Sequence, residues 1–166
     1  LGGLPVRGTI DRVDQHRETG VMRVIDYKTS DQEISPIAAH LANLRDDTPA
    51  FAQTDLGGKA KRWTDLQLPL YHGLLQANGI LTGETELAYF NLPKAVMQTG
   101  LSIWQGWTPA LLDSATGCAE AIVERIRTGI FWPPAERVQY DNYETLFPDS
   151  AETCFTALPL PGGQPQ

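Results

Sequence analysis

Cysteine is scarce in this chain. Only Cys118 and Cys154 occur among 166 residues, far apart and outside any CxxC-type spacing. That excludes a disulfide framework and the ligand spacing of a zinc or iron–sulfur centre, and predicts reduced thiols in a cytoplasmic protein. Long apolar runs are also missing: none approaches the roughly 18 residues that a membrane-spanning helix needs, so no membrane partner is expected. Basic residues are few, 13 Lys and Arg against 20 Asp and Glu, for a net charge of −7. This weighs against a wide basic footprint of the kind that grips nucleic acid. Two circumstances soften the objection: acidic residues can be concentrated in a metal site, and neighbouring modules can supply a basic groove. The start, Leu1-Gly2-Gly3-Leu4-Pro5, lacks an initiator Met, a basic n-region and a signal-type apolar core, and reads as the cut end of a longer protein.

What is present has the size of one domain, expected over residues 1–157 with a disordered tail over 158–166. Pro5 to Asp14 and Val21 to Lys28 are rich in β-formers, and Arg17-Glu18-Thr19-Gly20 between them has turn character, which predicts a β-hairpin. From Thr29 to Thr64 the sequence turns polar and irregular, with a short helix expected at Pro36 to Leu44. Leu66, Leu70 and Leu74 share one helical face up to about Ala77, and Pro69 either kinks this helix or falls in its first turn. Glu86 to Asn91 and Leu101 to Trp104 read as strands. Thr108 and Pro109 then offer an N-cap and first position for a helix whose apolar stripe is Leu111, Ala115, Cys118, Ile122 and Ile126.

The hairpin carries the chemistry. In an antiparallel pair, facing residues have numbers with a constant sum. A turn centred between Glu18 and Thr19 sets that sum at 37 and places Asp11 opposite Asp26. Side chains alternate along a strand, so Lys28 shares the face of Asp26. Two facing aspartates with Cβ atoms roughly 5 Å apart need a compensating cation. Mg²⁺ or Mn²⁺ suits carboxylate oxygens and keeps waters that leave room for a phosphate oxygen and a nucleophile. Lys28 can then orient that water or neutralise developing charge. The plain alternative for any Asp-x-Lys is a solvated group on an exposed sheet face. Val24 and Ile25, which make the strand apolar on both sides, argue against it.

Gly8-Thr9-Ile10-Asp11-Arg12-Val13-Asp14, then Ile25-Asp26-Tyr27-Lys28-Thr29, then Gln67-Leu68-Pro69-Leu70-Tyr71 resembles the ordered motif set of the PD-(D/E)xK nuclease superfamily. More narrowly, it is similar to the RecB-type nuclease domain at the C-terminus of AddB-like proteins and in Cas4 relatives. The resemblance implies an α/β fold with a mixed central sheet flanked by helices, the restriction-endonuclease-like core, here without its first helix. It implies Asp11 and Asp26 as metal ligands, Lys28 as the catalytic lysine and the carbonyl of Tyr27 as a further ligand. Gln67 and Tyr71 take a supporting role near the site or the DNA, and their i,i+4 spacing puts them on one helical face. A helicase subunit or domain is the implied partner, and Mg²⁺ or Mn²⁺ the cofactor. Two departures stand out. The His or Glu that such nucleases take from a preceding helix would lie upstream of Leu1, and the four cysteines of an iron–sulfur cluster are absent, so no cluster is expected.

Lys59, Lys61 and Arg62, beside Trp63, form a candidate basic patch for a phosphate backbone, with the indole stacking on a base; the alternative is a solvated loop. His40 reads as a loop histidine without a role more readily than as a metal or phosphate contact, and His16 and His72 rank below it. Asp14 reads as an outward carboxylate or a partner of Arg12, ahead of a supporting role beside the metal ligands, and Trp104, Trp107 and Trp132 read as packing. The leading reading is a metal-dependent DNA nuclease domain from a recombination or repair protein. Its rivals are a catalytically silent DNA-binding or scaffolding module with the same fold, and a hydrolase of smaller phosphate esters.

Overall fold

The computed structural model describes residues 1–131. The hairpin forms from β1 (Arg12–Gln15) and β2 (Met22–Lys28), antiparallel, with Arg12 facing Ile25 and Gln15 facing Met22. These pairs keep the expected sum of 37. His16 and Val21 extend the ladder by one hydrogen bond at 2.9 Å, and Gly20 closes the turn with a φ of 74°. The first strand is shorter than the expected Pro5 to Asp14. Pro5 cannot donate to a ladder, and Gly8 gives up its side-chain volume: a Cβ there would meet the Tyr71 ring at 3.3 Å.

β2 is flanked on its other side by β6 (Thr85–Asn91), in parallel, and β6 by β7 (Gly100–Ile103), antiparallel, giving a mixed sheet in the order β1-β2-β6-β7. The central strands are covered on both faces. Val24, Leu87, Ala88 and Tyr89 have no solvent exposure, consistent with their near-continuous apolar runs.

Between β2 and β6 the expected irregular stretch is in fact organised. It holds α1 (Pro36–His40), then β3 (Leu41–Asn43), β4 (Gln53–Leu56) and β5 (Lys59–Trp63), which make a small antiparallel sheet in the order β3-β5-β4. These strands are three to five residues long with largely polar faces, so no period of two develops in the sequence. Gly57 and Gly58 are the two-residue turn of a β-hairpin, both at positive φ.

Helix α2 (Gln67–Ala77) starts where Pro69 costs least. The first turn of a helix has N–H groups with no intrahelical partner. Here the N–H of Gln67 donates to Asp65 Oδ1 at 2.7 Å, that of Leu68 to His40 Nε2 at 3.3 Å, and Pro69 has none to place. Regular bonding begins at Leu70, whose N–H reaches the Leu66 carbonyl. Its buried side chains are Leu68, Pro69 and Leu75, not the Leu66, Leu70, Leu74 face. Apolar residues occur nearly all round this helix, and the four-residue repeat picks the face where Leu70 and Leu74 line a cleft with Leu4, Pro5 and Val6.

Helix α3 (Pro109–Arg127) has the expected cap, with Thr108 Oγ1 accepting the Leu111 N–H at 3.2 Å. Leu111, Ala115, Cys118, Ala119 and Val123 are buried, whereas Ile122 and Ile126 are exposed. The stripe therefore follows steps of four and slides one residue past the expected positions. Cys118 is a free thiol that burial pushes up from its usual pKa, so it is poorly suited as a nucleophile. Among the described residues no helix is long and apolar enough to cross a membrane. Cys154, Trp132 and the 158–166 tail lie outside the described residues.

Candidate active site

Asp26 lies one residue past the last pair of β2 with β1, Arg12 with Ile25, and is still paired to β6 on the other side. Asp26 is 4% exposed, between apolar Val24 and Ile25 and the paired strand β6, where its register partner is Tyr89. A buried carboxylate needs a partner. Lys28, two residues on and so on the same face, supplies it at 2.8 Å from Asp26 Oδ2. The ammonium also donates to Gln67 Oε1 at 2.9 Å, and the Tyr89 ring centroid lies 4.5 Å from it. Gln67 passes its own amide N–H₂ to Tyr71 Oη at 3.1 Å, one turn along α2. The third motif thus meets the second through a continuous chain from Asp26 to Tyr71.

Asp11 immediately precedes β1 and lies outside its ladder, whose last pair is Arg12 with Ile25. It is exposed, and its Oδ2 accepts the N–H of Tyr27 at 2.9 Å, which ties the carboxylate to the partner strand. Tyr27 turns its side chain away from Asp26 and Lys28 by strand alternation. It packs edge-on to Phe90 and receives a 3.5 Å hydrogen bond from Arg12. Asp14 pairs with Arg12 at 2.7 Å, as its spacing indicated.

The basic residues of β5 do not form one patch. Lys59 and Lys61 share a face, Arg62 takes the other, and both of the latter are engaged with Asn43: Lys61 Nζ with its side-chain oxygen at 2.7 Å and Arg62 Nε with its carbonyl at 3.1 Å. Trp63 is not available to stack on a base. It is 6% exposed, its indole N–H donates to Ser114 Oγ, and it packs towards Trp104. Alternation sets Arg62 apart from Lys59, Lys61 and Trp63, and burial rises along β5 from exposed Lys59 to buried Trp63, so the last residue enters the core.

Sequence reasoning missed Tyr89 and Asn91 at the site and misplaced His40. Tyr89, beneath Lys28, was legible only through the parallel register with Asp26, which pairing across about sixty residues conceals. His40 is no loop residue: it ends α1 with no exposure, and burial drives its pKa down against the opposing pull of Asp65. Asn91, the register partner of Lys28, is also buried; its side-chain oxygen accepts the N–H of Ile34 at 3.0 Å and its amide donates to the Ile34 carbonyl at 3.1 Å. It holds the segment leaving β2 by its backbone.

The donors around Asp26 fit a hard divalent cation. They are carboxylate and carbonyl oxygens, and Asp11 has one oxygen beyond that given to Tyr27. Among the described residues no three His, Cys, Asp or Glu side chains group together in a way that could hold a metal. Mg²⁺ commonly takes only one or two carboxylates and keeps several waters, so Asp11 and Asp26 are the side chains here that could hold it.

No curated protein and no solved structure matches this chain. The family model for the PD-(D/E)XK nuclease superfamily does match, over residues 1–154, and covers all three motifs. With that match over most of its length and a mixed sheet flanked by helices, the chain belongs to the PD-(D/E)XK nuclease superfamily.

Proposed function

We propose that this domain hydrolyses phosphodiester bonds in DNA with Mg²⁺ or Mn²⁺, as the RecB/AddB-type nuclease part of a helicase–nuclease protein. The observation that carries the reading is the placement of Lys28. Its ammonium is held by Asp26 and Gln67 at hydrogen-bond distance, in the ordered motif set that also supplies Asp11. An ammonium has three N–H donors. Among the described residues Asp26 and Gln67 take one each, and the third can orient a water or contact a phosphate oxygen.

In this reading Asp11, Asp26 and the carbonyl of Tyr27 hold the cation. When bound, it polarises a phosphate oxygen and lowers the pKa of a coordinated water. With Asp26 engaged by the cation, Lys28 keeps Gln67 as its fixed partner and faces the charge that builds on phosphate. Tyr71 restrains Gln67 from the next turn. Lys59 and Lys61 serve the DNA backbone from the second sheet, with further positive charge supplied by the helicase partner to offset the chain's own −7.

The test is hydrolysis of linear single- and double-stranded DNA with Mg²⁺ or Mn²⁺, alongside Asp26→Ala. Loss of cleavage in the variant is expected, and cleavage unchanged in it removes Asp26 from the mechanism. The acidic charge favours the second reading, a silent scaffolding module. Calorimetry with Mn²⁺ on the full-length protein separates the two, since a scaffold has no reason to retain the cation.

A further inference from the structure

His40 sits behind the site at the meeting of α1, α2 and β6, and every polar atom of its ring is engaged. Nε2 accepts the N–H of Leu68 at 3.3 Å, which requires a lone pair there and places the ring proton on Nδ1. Nδ1 lies 2.9 Å from the Pro36 carbonyl and 3.2 Å from Tyr89 Oη. The ring also packs on Trp104, with centroids 4.8 Å apart. Asp65 is the nearest charge, 3.9 Å from Nε2, and it also takes the N–H of Gln67. Burial favours the neutral imidazole, which the bond accepted from Leu68 demands.

Two paths lead from this ring to one ammonium. Through its hydroxyl, Tyr89 is fixed by His40 and lies with its ring against Lys28 Nζ. Through Leu68, His40 fixes the first turn of α2, and the neighbouring Gln67 accepts from the same Nζ. A core histidine that merely satisfied its own polar atoms would not need to touch both supports of Lys28. We propose that His40 is a positioning residue for Lys28, setting the ammonium's place through Tyr89 and through the start of α2. The inference rests on Lys28 being the catalytic lysine, and it deepens that reading.

Two variants of the full chain cut the paths separately. His40→Asn keeps an N–H near the Nδ1 position and removes the bond to Leu68. Tyr89→Phe keeps the ring under Lys28 and removes the hydroxyl that His40 holds. The first readout needs neither metal nor DNA: the Hε protons of Lys28 in the ¹³C-lysine-labelled protein, identified by their loss in Lys28→Arg, shift upfield in the ring current of Tyr89. The second is kcat and KM on linear DNA with Mn²⁺, and a thermal midpoint reports folding.

In folded His40→Asn, the Lys28 Hε signals move towards the free-lysine position, and kcat falls at least about tenfold while KM stays within about twofold. A folded variant with wild-type shifts and wild-type kcat overturns the proposal. If His40→Asn does not fold, Tyr89→Phe decides: displaced Lys28 signals with reduced kcat support it, and unchanged values overturn it. If the wild-type protein cleaves no DNA, the nuclease reading fails, while the Lys28 signals still show whether His40 places the ammonium.

Discussion

Lys28 and Asp26 form an ion pair 2.8 Å long in which the carboxylate is almost wholly buried and the ammonium only partly so. Removing one partner of a buried pair leaves an uncompensated charge, at a cost of about 3–5 kcal/mol. Lys28→Met is therefore expected to lower stability by an amount at or somewhat below that range, because Lys28 retains some solvent. Asp26→Asn with Lys28→Met should recover much of the loss. Urea unfolding of the single and double variants measures both, and a strictly additive result would mean that the pair is not coupled.

Buried His40 and half-buried His72 set an acid limit on stability. Burial lowers the pKa of both His40 and His72 from 6.5, and His72 Nδ1 has no hydrogen-bond partner. A histidine with a depressed folded-state pKa binds its proton more readily when unfolded, so stability from this source is full above pH 6.5 and falls as the pH drops below it. The urea midpoint should be nearly flat well above pH 6.5 and decline as the pH falls below it. His72→Phe should flatten part of that decline.

The face that α3 buries can be tested with two truncations. Leu111 is 3% exposed and Ile126 is 48% exposed. Leu111→Ala is expected to cost about 2–5 kcal/mol and Ile126→Ala about 0.5 kcal/mol or less. Equal losses by thermal or urea denaturation would restore the stripe expected from the sequence.

Lys59 begins β5 and is exposed, whereas Lys61 is engaged by Asn43. If the second sheet meets the DNA backbone, Lys59→Ala should weaken binding uniformly across sequences and reduce the slope of log K against log salt by about one. Titration at several salt concentrations gives that slope, and an unchanged value takes Lys59 out of the interface.

The hairpin was legible because turn residues and alternation fix a register, and a register fixes which side chains meet. That is why the placement of Asp26 with Lys28 followed from local sequence. The meeting of Lys28 with Gln67 came from motif order, since thirty-nine residues separate them. Pairing over such distances is invisible to periodicity, as the parallel register of Asp26 with Tyr89 shows. The second sheet was missed for another reason: short strands with polar faces share their composition with loops. Trp63 was misread because adjacency to three basic residues suggested a surface role, while β5 runs from an exposed start at Lys59 into the core at Trp63.

Asn91 grips Ile34 by both its N–H and its carbonyl. Such a grip is indifferent to the side chain at position 34, because it reads only the peptide unit. The Ile34 side chain is left to pack against the core, while its peptide unit fixes the path by which the chain leaves β2.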